Sequence, residues 1–172
     1  PHWEYSRNKI AAEELLIKSF KESGFPATIV RPSHTYSRVI PLTIGGWTEY
    51  TCVARMKKGL PIVVQGDGTS LWTLTHARDF AVGFIGLLGR SEAIGEDFHI
   101  TSDEYLSWNE IYQLTAAAVG VEAEIVHATS ERICQFDPDY RGTLLGDKSV
   151  SALFDNSKIK RLVPHFCAKI PY

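Results

Sequence analysis

The sequence predicts an α/β fold, and three observations carry that expectation. A long amphipathic helical pattern near the start runs into a short β-branched apolar stretch, which is half of a crossover between parallel strands. Helix-like and strand-like stretches then alternate along the rest of the chain. Residues 80–89 (FAVGFIGLLG) form an apolar run too short to span a bilayer, and so read as a buried helix.

In residues 5–22, Ile10, Leu15, Leu16 and Phe20 fall on one side of a helix and Gly24 supplies the stop. Tyr5 and Lys9 stand at i and i+4 on that helix and share a face. A cation beside a phenol favours the phenolate, which a tyrosine acting as a general base near neutral pH requires. The same spacing also arises as an ordinary solvated pair. Residues 27–32 (ATIVRP) are a β-branched run closed by a proline, hence a buried strand. Pro41 and the pair Gly45 and Gly46 mark a loop. The spacing of Trp47, Tyr50, Val53, Ala54 and Met56 predicts a helix ending at Gly59-Leu60-Pro61.

Residues 62–64 read as a strand entering the turn Gln65-Gly66-Asp67-Gly68, and residues 72–74 as another short strand. Asp79 opens the apolar helix, where a carboxylate complements the dipole, and a catalytic label is withheld from it. Gly83, Gly86 and Gly89 are read as close-packing positions inside that helix. Residues 97–101 predict a strand, and residues 107–119 a helix that opens with the S-x-x-E capping pattern of Ser107 and Glu110. Residues 122–127 predict a strand. Short helices and turns follow up to residue 149, then a last strand at 151–154 and a helical turn at 156–161.

Composition bounds the function. The chain has 172 residues, 44% hydrophobic and 22% charged, enough for one globular domain or two closely packed lobes with a real core. A formal net charge of -2 supplies no general basic field for nucleic acid. Cys52, Cys134 and Cys167 are widely spaced and show no metal-ligand pattern, which reads as reduced thiols in a cytoplasmic protein. No signal-peptide pattern opens the chain. It begins within a turn of a helix, so the expectation is a fragment of a longer protein. A dinucleotide-binding sheet announces itself by a glycine-rich turn between strand and helix, and no G-x-G-x-x-G is present here.

Several segments, taken in order, carry a resemblance. Tyr5-Ser6-Arg7-Asn8-Lys9 matches a Y-x-x-x-K motif and continues into Ala11-Ala12-Glu13. Thr28-Ile29-Val30-Arg31-Pro32 with Ser33-His34-Thr35-Tyr36 fits a strand followed by R-P-x-x-x-Y. Residues 61–68 fit P-x-x-x-x-G-D-G, residues 76–81 sit where V-x-D-x-A opens a helix, and Asp155, Ser157, Lys158 and Pro164 fit D-x-[ST]-K…P. In this order they resemble the C-terminal portion of the extended short-chain dehydrogenase/reductase family, the NAD-dependent epimerase/dehydratase group.

The resemblance implies the C-terminal part of a Rossmann-type parallel sheet plus a small mixed α/β substrate-binding lobe. Residues 1–40 and 77–102 would form the sheet edge, and residues 41–76 and 103–172 the lobe. It implies an NAD- or NADP-dependent epimerase, dehydratase or reductase whose substrate is a sugar-like or other hydroxyl or carbonyl compound, with the chain alone inactive. Tyr5 would be the acid/base, and Lys9 its electrostatic partner and ribose ligand. Pro32, Ser33, His34 and Thr35 would line the nicotinamide, His34 also reaching substrate. Gln65, Trp72 and Arg141 are the further substrate candidates. For Trp72 the alternative is core packing, and for Arg141 a surface ion pair.

Nucleotide-sugar members carry an arginine close before the V-x-D stretch, whereas residues 70–76 (SLWTLTH) contain none. The resemblance also implies a homodimer paired through the Tyr5–Lys9 helix, with Leu15, Leu16 and Phe20 facing the partner. One alternative stays open: some plastid members of the superfamily bind stem-loop RNA. The basic clusters Arg55, Lys57, Lys58 and Lys158, Lys160, Arg161 would serve such binding.

Overall fold

The computed structural model describes residues 3–172. Its elements in chain order are α1 (Glu4–Ser23), β1 (Ile29–Pro32), β2 (His34–Tyr36), α2 (Thr51–Lys57), β3 (Ile62–Gln65), β4 (Leu71–Trp72), β5 (Leu74–His76) and α3 (Ala77–Leu87). They continue with β6 (Asp97–Ile100), β7 (Leu106–Ser107), α4 (Trp108–Ala118), β8 (Ile125–Ala128), α5 (Ser130–Phe136), α6 (Tyr140–Thr143) and α7 (Ser157–Leu162). The fold is α/β. The pairs β1–β6, β2–β5 and β3–β8 are parallel, and β4–β7 is antiparallel.

Parallel pairing demands crossovers, and the helices supply them. β1 reaches β6 through a connection that includes α3, whose packing explains two of its glycines. A Cβ on Gly83 would lie 2.6 Å from Ile100 Cγ2, and one on Gly86 would lie 2.4 Å from Val163 Cγ1. Both glycines let the helix backbone press on β6 and α7. Gly89 lies just past the helix end instead, at φ 74°. His76 caps α3 by accepting the Arg78 N–H at Nδ1, 3.1 Å away, so the helix opens at Ala77 rather than Asp79. Asp79 occupies the first turn, and its Oδ2 also accepts the N–H groups of Lys169 and Ile170 at 3.0 and 2.8 Å. That carboxylate ties the C-terminal segment to the sheet edge.

Two main apolar cores result. Leu87, Ala93, Phe98, Ile100, Ile159, Val163 and Phe166 pack around β6. A larger one gathers residues of α2, β3, α4 and the strands beside them, including Met56, Val64, Trp72, Trp108 and Tyr112. α4 opens with the full capping box: the Ser107 hydroxyl accepts the Glu110 N–H at 3.2 Å, and Glu110 accepts the Ser107 N–H at 2.7 Å.

Three expectations are corrected. α2 begins at Thr51, because Trp47 adopts φ 53°, a left-handed conformation no helix contains. The strand expected at 72–74 is two strands, β4 and β5, which part at Thr73 to join different partners. Residues 151–154 form no strand: Ala152 N–H donates to the Leu71 carbonyl at 3.0 Å, but no ladder follows.

Candidate functional site

α1 is held against the sheet by charge. Arg31 in β1 is bound by Glu13 of α1, with Nε to Oε2 at 3.0 Å, and also pairs with Asp97 of β6. Lys158 of α7 closes the network on Glu96 at 2.8 Å. The hydrogen bond from Arg31 holds the Glu13 carboxyl below its ordinary value of 4.5, against a smaller opposing effect of burial. A carboxyl so lowered stabilises the fold fully above its unfolded value, and the contribution disappears as pH falls through the folded one. Glu13→Gln should therefore cost about 1 kcal/mol at pH 7, discounted because the pair is partly solvated. The gap to the parent should begin to shrink as pH falls below about 4.5, the ordinary carboxyl value, and should close only below the lowered folded value. Urea unfolding at pH 7 and pH 3.5 checks this, and a gap undiminished at the lower pH would contradict it.

The N-terminal end of α1 projects over a cleft of about 1040 Å³. Trp3 fixes that end: a Cβ on Gly142 would lie 2.2 Å from Trp3 Cδ1, so only glycine in α6 admits the indole. Tyr5 follows, 57% exposed, with its ring 5.0 Å from that of Trp3 and Lys9 Nζ 5.7 Å from its centroid. Tyr5 lines the cleft together with Pro32, Ser33, His34 and Thr35. Lys9 stands behind Tyr5 and is not part of the cleft wall.

The 32–35 segment is held from beneath. Ser33 Oγ and Thr75 Oγ1 share a hydrogen bond of 2.6 Å, and Thr75 Oγ1 also accepts the Ser102 N–H at 2.8 Å. The His34 ring meets Trp47 edge-on at 4.6 Å, and its Nε2 is buried with no hydrogen-bond partner among the described residues. Burial, helped by the charge of Lys148, pushes the His34 pKa down to about 3. At neutral pH it is an uncharged imidazole.

Of the other sequence candidates, Trp72 is 6% exposed, tilts against Trp108 at 5.8 Å, and forms part of the cleft floor. It packs and lines at once. Gln65 is 3% exposed and both its amide atoms lack a partner among the described residues, but it lines a second cavity of about 690 Å³ beyond the strand end. Arg141 is exposed and does not line the cleft. Lys148 was not anticipated. It ends a π-helical turn, Leu144–Lys148, and its Nζ lies 4.8 Å from the Trp72 ring centroid and 2.8 Å from Asp147 Oδ2. It borders both cavities. No local spacing signals it; a lysine just before a serine-rich loop looks solvated. Among the described residues, no helix is long and apolar enough to cross a membrane.

The chain is similar over 168 residues, at 29% identity, to a 2'-dehydrokanamycin reductase of Streptomyces kanamyceticus, covering 96% of this chain and 47% of that one. It is 30% identical over 122 residues to the chloroplast stem-loop binding protein of 41 kDa b of Arabidopsis thaliana, covering 70% of this chain and 30% of that protein. Its fold matches UDP-glucuronic acid 4-epimerase from Bacillus cereus, solved with UDP-glucuronic acid and NAD, at a TM-score of 0.72 and 20% identity. That match covers 97% of this chain and 48% of the epimerase. The chain thus spans half or less of the length of these relatives. The Y-x-x-x-K helix, the R-P-x-x-x-Y segment, the G-D-G turn and β6 all fall within residues 1–101, which match the sequence model of one family. On that match the chain belongs to the NAD dependent epimerase/dehydratase family.

Proposed function

We propose that the chain is the tyrosine-bearing, substrate-facing part of an NAD(P)-dependent epimerase, dehydratase or reductase acting on a sugar-like hydroxyl or carbonyl compound. One observation carries the reading: Tyr5 and the braced 32–35 segment, His34 included, line a single cleft. Tyr5 exchanges a proton with the reacting oxygen, Lys9 supports it from the next turn and holds a ribose hydroxyl, and His34 hydrogen-bonds a substrate hydroxyl.

Tyr5 and residues 32–35 fit the nicotinamide end of the cofactor, because the exposed phenol and the braced segment line one cleft, and Lys9 would reach the ribose from behind Tyr5. When bound, the nicotinamide supplies or accepts the hydride. No glycine-rich turn in these residues matches the pyrophosphate, so we propose that the isolated chain does not turn over. The sheet edge (1–40 and 77–102) and the lobe (41–76 and 103–172) would flank the cleft. Exposed Ile10, Leu15, Ile17 and Phe20 on α1 support a homodimer formed through that helix.

The test incubates the complete enzyme and deuterated NADH with a panel of sugar and cyclitol ketones and weighs the products. Deuterium at a product carbinol supports the reading. A folded enzyme that transfers none across the panel overturns it. The stem-loop relative favours RNA binding as a second reading, but Lys158 and Lys160 are each paired with carboxylates, at 2.8 Å to Glu96 and 2.6 Å to Asp103.

A further inference from the structure

We infer that the cleft takes a cationic, amine-bearing polyol rather than an anionic, nucleotide-linked sugar; the inference rests on the cleft being the substrate site proposed above. Its charged lining is Glu49, Asp139, Asp147 and Lys148. Lys148 is balanced at 2.8 Å by Asp147. That leaves two carboxylates uncompensated. Glu49 accepts the Thr51 hydroxyl, and among the described residues neither Glu49 nor Asp139 has a cationic partner. His34 is neutral at pH 7 and adds no positive charge. Among the described residues, no arginine lines the cleft. A diphosphate would meet two free carboxylates and only a lysine already committed to an acid.

The wall itself shows how an ammonium is held here. The Lys148 ammonium sits between the Asp147 carboxylate and the Trp72 face, 2.8 Å from one and 4.8 Å from the ring centroid of the other. The same two residue types line other parts of the cleft. Glu49 follows Trp47 by two positions and Asp139 precedes Tyr140, and all four residues line the cleft. Carboxylates beside aromatic faces attract ammonium groups, while the faces also stack on the apolar side of a sugar ring. His34, Thr43 and Trp72 line the cleft, and each keeps one polar side-chain atom buried without a partner among the described residues. Trp72 is 94% buried by its 6% exposure, so its unpaired N–H is not explained by solvent.

The tryptophans of the cleft report binding. We would titrate the full chain with diglucosamine, with its N,N′-diacetylated form, and with UDP-glucose, following intrinsic fluorescence in low salt. The expected result is binding of diglucosamine about tenfold tighter than of either other compound, with the gap shrinking as salt screens the carboxylates. The double variant E49Q/D139N should erase the preference while leaving the fluorescence of the free chain unchanged. No quenching by diglucosamine, equal or tighter binding of the acetylated sugar or UDP-glucose, or a preference that survives E49Q/D139N would each overturn the inference. Failure of the hydride-transfer reading is separable. An enzyme that transfers no deuterium yet prefers diglucosamine loses the reaction and keeps the selectivity.

Discussion

Replacing Tyr5 by phenylalanine in the complete enzyme should lower turnover by about 10²–10⁴-fold, the ordinary contribution of a positioned acid/base. The dissociation constant for NADH should stay within about threefold of the parent, since the lost group acts in the transition state rather than in binding. The substitution removes one hydroxyl and little else. The ring keeps its contact with Trp3 at 5.0 Å and its place beside Lys9 at 5.7 Å, so the wall of the cleft persists. More than half of the Tyr5 side chain is solvent-accessible, and no core packing depends on it. A loss confined to kcat is therefore a loss of chemistry. Lys9→Met is the informative companion: a residue that both supports Tyr5 and holds a ribose hydroxyl should weaken NADH binding as well. Unchanged turnover in Tyr5→Phe would remove the tyrosine from the mechanism, whatever the fold resembles.

The elements most legible in the sequence were those whose signals are local. The period of α1, the β-branched run ending at Pro32, and the Ser107–Glu110 box are each decided within a few residues of chain. Misreadings fell where a local pattern is overruled at a distance. Trp47 keeps helical spacing with Tyr50 and Val53, yet it sits in a left-handed turn whose side chain packs on His34, thirteen positions earlier. Residues 72–74 read as one strand, but they fall in two, β4 and β5, which pair with β7 and β2 and part at Thr73. The cleft divides the same way. Tyr5, Lys9 and residues 32–35 belong to motifs, whereas Glu49, Asp139 and Lys148 reach the cleft from loops and short helical turns far apart in sequence. Their charges can be summed only once the fold has gathered them. Gly142 is the extreme case, an unremarked residue beside Arg141 whose missing side chain makes room for Trp3 and so sets the end of α1 that carries Tyr5.

Trp108→Ala should cost about 3–5 kcal/mol of stability, the range for truncating a buried aromatic, and lower the melting temperature by about 10 °C or more. Trp108 is fully buried at the first position of α4, within the cluster that also contains Met56, Val64 and Tyr112. The helix cannot shift to fill the space, because the Ser107–Glu110 capping box fixes its start. Trp108→Phe should be much milder. It retains most of the volume, and it deletes an indole N–H that lacks a hydrogen-bond partner among the described residues. The same pair of variants separates packing from recognition. The Trp108 ring supports Trp72 at 5.8 Å, and Trp72 forms the cleft floor beneath Lys148. If that floor holds the ligand, Trp108→Ala should weaken diglucosamine binding even at a temperature where the variant is fully folded, while Trp108→Phe should not. Full affinity in a destabilised Trp108→Ala would mean that Trp72 needs no support from the core to shape the cleft, and would shift the recognition argument onto the rim carboxylates alone.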